Sequence, residues 1–315
     1  RRGPRSATPQ QSRRAHVSRT LAFFAGRMAQ RGPAPIPQSA KKMSTSPTKA
    51  WEIIRKAQGE PTVLPLEQFQ NGFYEQESGT VRFVAISDTH NIEAHKPIYV
   101  PPGDVLVHAG DFTQVGNLEQ VKGFCDWFSK LPHRRKILIA GNHDLSCHRP
   151  SYASNCRRFR LRGFDTNAVA DEVDRLLHSI PNCEYLLDSG TVVEGLSIWG
   201  SPWQPAFGDW AFNLPRGNGC REKWLMIPTN TDVVVTHGPP LGHGDLCASN
   251  QRAGCLDLLD ELQRRVKPQF HVFGHIHEGY GVTSDGTTTY VNASTCDLNY
   301  SPSHPPLVFD VKAKR

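Results

Sequence analysis

Five short stretches of this 315-residue chain carry side chains able to hold cations: Asp88-Thr-His90, Gly110-Asp111, Gly141-Asn-His-Asp144, His237-Gly-Pro-Pro240 and Gly274-His-Ile-His277. Asp-x-His and His-x-His set two donors on the same side of an extended backbone, which suits chelation. Asp111, alone between them, can bridge two cations with its two oxygens, and Asn142 adds an oxygen without adding charge. Two divalent ions ~3.5–4 Å apart would lower the pKa of a shared water and clamp phosphoryl oxygens during an in-line displacement. Those cations would then supply most of the transition-state stabilisation. Any one stretch is commonplace, since an Asp that ends a strand is most often a turn former. The reading rests on all five together.

Each stretch directly follows a short apolar, β-branched run: Val81–Ser87, Val105–Ala109, Ile137–Ala140, Val233–Thr236 and His271–Phe273. Ser197–Gly200, Thr288–Val291 and Leu307–Val311 also read as strands. Helical periodicity marks Leu118–Lys130, Ala168–Ser179 and Leu256–Val266, and Asp285-Gly286 predicts a hairpin turn. Mixed strands and helices imply an α/β sandwich. In such a protein the carboxyl ends of the strands form the crevice where ligands bind, so loops far apart in sequence can converge there.

The formal charge of +6 belongs to one end of the chain: residues 1–50 hold eleven Lys or Arg and no acid, leaving 25 basic against 30 acidic side chains in the rest. A mildly acidic body argues against a broad phosphate-tracking surface, so no stable nucleic-acid partner is expected. No stretch approaches the roughly 18 apolar residues of a membrane span, so no membrane partner is expected either. Residues 1–50, rich in Arg, Ser, Pro and Gln without periodicity, read as a disordered basic tail. Residues 51–80 read as an extended lead-in, and 81–315 as the catalytic domain. Cytoplasmic localisation is the expectation, with mitochondrial import as the alternative offered by the Arg-rich, acid-free stretch around Leu21-Ala-Phe-Phe24. Eight cysteines without Cys-x-x-Cys spacing read as reduced thiols.

In order and spacing the five motifs resemble the signature of the calcineurin-like metallophosphoesterases. Val105-Leu-Val-His-Ala-Gly-Asp111, Gly200-Ser-Pro-Trp-Gln-Pro205, Phe212-Asn-Leu-Pro-Arg-Gly217, Thr236-His-Gly-Pro-Pro-Leu-Gly242 and His271-Val-Phe-Gly-His-Ile-His-Glu-Gly-Tyr-Gly281 further resemble the animal metallophosphoesterase-domain-containing, fetal-brain-type phosphodiesterases, over roughly residues 81–312. The resemblance implies a four-layer α/β/β/α sandwich of two mixed sheets flanked by helices. It implies Asp88, His90, Asp111 and His277 as the ligands of one metal, with Asp111 bridging, and Asn142, His237 and His275 completing the shell of a second. It places His143 beside the phosphate, where it protonates the leaving oxygen or stabilises developing charge, with Asp144 as its orienting partner. The metals implied are two divalent ions, Mn2+ first and Fe, Zn or Mg as substitutes. The activity implied is hydrolysis of small phosphodiesters, cyclic nucleotides above all. Some relatives in that subgroup carry Gly where this chain has His275. Residues 147–180 match the relatives poorly, and their Arg157-Arg-Phe-Arg-Leu-Arg162 run reads as a solvated charge cluster.

For substrate contacts, Asn142 and His143 are expected at the phosphate, with Arg216 gripping it and His243 at the edge of the site. Trp199, Trp203, Trp210 and Trp224, with Phe207 and Phe212, are aromatic faces on which a base could stack. Trp203 and Phe212 are favoured because their surroundings are Pro-rich and loop-like, while His108, inside an apolar strand, reads as structural. The rival readings are a phosphomonoesterase, phosphoprotein phosphatase or nuclease of the same fold, and a nucleotide-binding regulatory protein with little turnover.

Overall fold

The structure, a computed structural model, describes residues 32–70, 75–161 and 163–313. In chain order its elements are α1 Gln38–Lys41, α2 Pro47–Gln58, β1 Thr62–Leu64, β2 Thr80–Ile86, β3 Val105–His108, α3 Leu118–Lys130, β4 Arg135–Leu138, α4 Arg149–Arg158, α5 Thr166–His178, β5 Cys183–Tyr185, β6 Ser189–Val193, β7 Leu196–Ser201, β8 Gln204–Pro205, β9 Asn213–Leu214, α6 Asn218–Trp224, β10 Val233–Thr236, α7 Leu256–Glu261, β11 Phe270–Phe273, β12 Gly281–Ser284, β13 Thr289–Asn292 and β14 Leu307–Lys312.

Side-chain alternation builds the layers. Val81, Phe83 and Ala85 of β2 point between the two sheets, where they join Val105 and Val107 of β3 and Val233 and Val235 of β10. The intervening Val84 and Ile86 point the other way, onto Phe124 and Phe128 of α3 and Val173 and Leu177 of α5. Val234 of β10 likewise faces outward, to Trp224 of α6 and Leu258 of α7. Helix, sheet, sheet and helix therefore stack as four layers, as expected. One sheet has the order β14-β2-β3-β4-β5 and the other β1-β12-β13-β11-β10-β7-β6. β2, β3 and β4 run parallel, and so do β10 and β11, which gathers their carboxyl ends along one edge of the sandwich. At that edge Ser87 bridges to Ser294, and the Thr295 N–H donates to the Ser87 carbonyl at 2.7 Å.

The local chemistry of the elements agrees with their positions. Asn117 caps α3 by accepting from the Gln120 N–H at 2.9 Å, and Asp165 caps α5 from Asn167 and Ala168. The expected hairpin pairs β12 with β13. Its turn is closed by Asp285, whose carboxylate accepts from the N–H groups of Thr287 and Thr288 at 2.9 and 2.8 Å. The helix expected over Leu256–Val266 is α-helical only to Glu261, continues as a π-turn over Leu262–Val266 and stops at left-handed Lys267.

The tail and the lead-in depart from expectation. Of residues 1–50, those from 32 onward are described, and they contain α1 and the start of α2, while 1–31 lie outside the described residues. Pro47 opens α2, where its missing N–H does no harm. Ala50, Trp51 and Ile54 form one buried face against Leu241, Leu256 and Leu259. The expected extended lead-in thus begins as helix, and its β1 pairs with β12. Apolar positions spaced i, i+1 and i+4 after Ser46-Pro47 were the signal for this helix. All eight cysteines are unpaired in the structure. Among the described residues, no helix is long and apolar enough to cross a membrane.

Candidate metal centre

The loops that leave β2, β3, β4, β10 and β11 meet at the shared edge, so both sheets supply side chains. Three clusters of donor atoms form there: Asp88, His90 and His277; Asp111, His237 and His275; and His90, Asp111 and His143. Asp111 belongs to two of them, and the Asn142 Oδ1 lies 2.9 Å from the His237 Nε2. All seven residues expected as metal ligands are therefore together, with Asp111 between the two groups.

The backbone is shaped for this. Asp88, His90, Asp111 and His275 have φ of 52°, 47°, 55° and 70°. Ordinary residues rarely adopt that left-handed region, and strain of this kind concentrates at functional sites. The turns are held by the Asp88 N–H on the Gly110 carbonyl at 2.9 Å and the His90 N–H on the Asp111 carbonyl at 3.0 Å. Gly141 and Gly274 are needed because a Cβ at either would collide with the carboxylates of Asp111 and Asp88, respectively.

Backbone carbonyls orient the imidazoles. The Nδ1 of His90 faces the Thr113 carbonyl at 3.2 Å, that of His237 the Ala109 carbonyl at 2.9 Å and that of His277 the Asp297 carbonyl at 3.0 Å. Donation from Nδ1–H leaves each Nε2 facing inward as the metal-binding atom. The Nε2 atoms of His90 and His277 stand 3.2 Å apart, and His237 Nε2 is 3.2 Å from Asp111 Oδ2. Two lone pairs at such spacing repel, so His90 and His277 require a cation or a proton between them. Burial pushes His90 down to about 4 and His275 down to about 3, which keeps both neutral. Burial would also lower His237 and His277, but Asp111 beside the first and the Asp88 hydrogen bond to the second hold each at about 9. Burial would raise the carboxyls of Asp88 and Asp111. Instead His277 beside the one and His237 and His143 beside the other hold both well below the usual carboxylate range. The donor set, two carboxylates, one amide oxygen and four imidazoles, fits divalent cations of the Mn, Fe or Zn type.

Asp88 also accepts from the Ser294 hydroxyl at 2.8 Å and from the His275 N–H at 3.0 Å, so it ties the two sheets together across the site. His143 is half-buried, its N–H donating to Asp111 Oδ1 at 2.7 Å and its Nδ1 facing the Gln114 carbonyl at 2.8 Å. Asp144 is not the orienting partner of that ring. Its carboxylate accepts from Thr113 N–H, Thr113 O–H, Gly141 N–H and Phe112 N–H at 2.9, 2.7, 2.8 and 3.4 Å. It therefore clamps the Asp111 loop to the Asn142 loop. Burial and the Asp111 charge push its carboxyl up to about 7 against the hydrogen bonds from Thr113 and Gly141.

A cleft of about 610 Å³ opens over Asp111, Asn142, His143, His275 and His277, and is also walled by Phe207, Arg252, Leu298 and Tyr300. Arg216 lines it, yet its guanidinium donates to the Gly254 and Ala253 carbonyls at 2.7 and 2.6 Å, which braces that loop. Trp203 and Phe212 do not face the cleft. Trp203 gives its indole N–H to Asp188 at 2.9 Å, Phe212 is 1% exposed, and both line a separate cavity of about 320 Å³. Their Pro-rich context marked a folded corner rather than an open edge. His243 is buried, stacked on Tyr290 at 3.7 Å and bonded to Thr283, so it is not an edge residue. His108 is buried against Thr89, as its place in β3 implied. Tyr300, whose ring meets His90 at 4.8 Å, and Arg252 were not anticipated, because nothing local in Asn299-Tyr-Ser or Gln251-Arg-Ala distinguishes them.

Comparison with known proteins agrees with this geometry. The family model for calcineurin-like phosphoesterases matches residues 81–279. Metallophosphoesterase domain-containing protein 1 of Homo sapiens is 45% identical over 277 residues, covering 86% of this chain and 84% of its own. The Mus musculus protein of the same name gives the same figures, 45% over 277 residues. The UPF0046 protein T07D4.2 of Caenorhabditis elegans is 37% identical over 282 residues, 87% of this chain and 70% of that one.

Proposed function

The chain belongs to the calcineurin-like phosphoesterase family, and we propose that it is a metal-dependent phosphodiesterase that hydrolyses small phosphodiesters, with cyclic nucleotides as the substrate class and manganese as the metal. The observation that carries the reading is the set of donor clusters beside the cleft: Asp88, His90 and His277 on one side, Asp111, His237 and His275 on the other, linked through the cluster of His90, Asp111 and His143. When bound there, two divalent cations would lower the pKa of a shared water and neutralise phosphoryl oxygens.

The chain's own groups supply the rest. Asp88, His90 and His277 would hold one cation and Asn142, His237 and His275 the other, with Asp111 between them; carbonyls fix His90, His237 and His277, and Ser294 and the His275 N–H fix Asp88. His143 stands at the cleft side of Asp111, where its Nε2 reaches a phosphoryl or leaving-group oxygen as hydrogen-bond donor and proton source. Phe207, Leu298 and Tyr300 offer apolar surface beside the phosphate position, suited to the sugar or base of a nucleotide. The volume of about 610 Å³ is that of a small-molecule site. With the acidic balance of residues 51–315, this favours a small ester over long nucleic acid.

The test is hydrolysis of bis-p-nitrophenyl phosphate, 2′,3′- and 3′,5′-cyclic nucleotides and a phosphopeptide by metal-stripped protein, with and without manganese, beside Asp111→Ala. Manganese-restored turnover of the diesters, absent from the variant, is expected. Turnover of the phosphopeptide alone would make the protein a monoesterase. Tight AMP or GMP binding without turnover of any ester would make it a nucleotide-binding protein.

A further inference from the structure

Part of the Arg-rich run, Arg158 and Phe159, has a place at the site. Helix α4 ends at Arg158, and Phe159 follows. The Phe159 ring lies 4.6 Å from that of Trp210, and the Arg158 guanidinium sits over both, 5.1 Å from Phe159 and 5.7 Å from Trp210. Trp210 also stacks on the His143 imidazole, centroid to centroid 4.0 Å at 26°. The loop that bears Trp210 is itself bound to the metal-ligand loop, since the Ala211 N–H donates to the Asn142 carbonyl at 3.2 Å.

His143 needs such support. Its Nδ1 bond to the Gln114 carbonyl sets which edge of the ring faces the protein, but one hydrogen bond leaves the ring free to tilt about that contact, and χ2 of histidine is soft. A flat face pressed on the ring removes that freedom, and the edge of His90 at 4.6 Å limits it from the side. We propose that Trp210, backed by Phe159 and Arg158, is a positioning residue that fixes the plane of the His143 imidazole so that its Nε2 stays aimed at the leaving oxygen. The proposal rests on the reading of His143 as proton donor. As the oxygen of an attacking hydroxide bonds to phosphorus, the P–O bond to the leaving group breaks and its electron pair passes to the departing oxygen. The proton of His143 Nε2 goes to that oxygen, and the imidazole is left neutral with its proton on Nδ1, still donating to Gln114.

Leaving-group dependence tests this, because an aligned donor matters most where the leaving oxygen is basic. The manganese-loaded full chain would be assayed on the phenyl and p-nitrophenyl esters of thymidine 5′-phosphate. For Trp210→Ala, kcat on the phenyl ester is expected to fall about tenfold, part of the roughly hundredfold or more that a general acid contributes. On the p-nitrophenyl ester the fall is expected to stay under about threefold, with KM and manganese content unchanged and Trp210→Phe recovering most of the loss. In a His143→Ala background, Trp210→Ala is expected to add nothing, as residues acting through one group do not add. Equal losses on the two esters, a change confined to KM, or additivity with His143→Ala would overturn the proposal. If Trp210→Ala does not fold, Trp210→Leu carries the same comparison, with Trp210→Phe again as the rescue. A His143→Ala variant that is itself indifferent to the leaving group would instead overturn the proton-donor reading, and the positioning role with it.

Discussion

Asp144→Asn separates a clamp from a catalyst. In the protein, one carboxylate oxygen serves both the N–H and the hydroxyl of Thr113, and the other serves Gly141 at 2.8 Å and Phe112 at 3.4 Å. In the amide, the carbonyl oxygen keeps Thr113, but the NH2 group faces the Gly141 N–H. Losing a bond to a charged acceptor costs ~1.5–3 kcal/mol, and an orphaned buried N–H adds ~1–3 kcal/mol. Removing a buried charge from beside Asp111 offsets part of this, so the net loss is about 3 kcal/mol. Urea melts of the metal-free protein at pH 8, where the Asp144 carboxyl is ionised, measure it. Because the clamp joins the loops of Asp111 and Asn142, manganese affinity by titration calorimetry should fall by about 10–100-fold, the usual effect of disturbing a ligand's support. A stability change below about 1 kcal/mol would refute the hydrogen-bond reasoning. A collapse of kcat with stability and manganese affinity intact would refute the clamp and return Asp144 to a direct role at the phosphate.

Three further outcomes are expected. Trp51 is 3% exposed and packs on Gly242, with the Arg252 guanidinium 4.6 Å from its ring. Trp51→Ala should cost ~3–5 kcal/mol in denaturant melts and raise KM, because Arg252 walls the cleft; an unchanged KM would show that α2 is scaffold only. Burial pushes the Glu93 carboxyl up to about 7 from its ordinary 4.5, so the folded protein holds that proton more tightly than the unfolded chain. Its contribution to stability is lost as pH rises from 4.5 to about 7 and is level above, up to about 3 kcal/mol in all. Melts of Glu93→Gln across that range should be flatter and end higher at pH 8. His275→Gly should bind one manganese per chain by elemental analysis where the parent binds two; two in both would remove His275 from the ligand set.

The five ligand loops were legible because each puts its chemistry in a short local pattern after an apolar strand. The four layers were implied by the resemblance of those motifs, and the alternation of Val81, Phe83 and Ala85 against Val84 and Ile86 is what builds them. Most of the cleft wall was not legible. Of the cleft wall only Phe207 was among the aromatic candidates; Arg252, Leu298 and Tyr300 come from loops whose positions depend on packing between distant elements. Trp203 and Trp210 show the difficulty most sharply: both sit in polar, turn-rich surroundings, yet Asp188 draws one indole into a corner while the other lies flat on His143. The role of Asp144 was misread because adjacency to His143 in sequence suggested contact, whereas the turn at Gly141 points the two side chains apart. Helix α2 went unread because its Arg- and Pro-rich surroundings outweighed a single amphipathic face.

His275 holds its place in the second donor cluster with a left-handed backbone, φ 70°. An L-residue pays ~1–2 kcal/mol there, and glycine does not. The substitution that deletes this ligand therefore also relaxes the loop. Asp88 is the opposite case: its loss would strand the Ser294 hydroxyl and the His275 N–H and loosen the joint between the sheets. The two halves of the metal centre thus differ in how readily descent can part with them. A lineage that replaced His275 with glycine would lose that donor and keep a sound fold, with the cleft still in place.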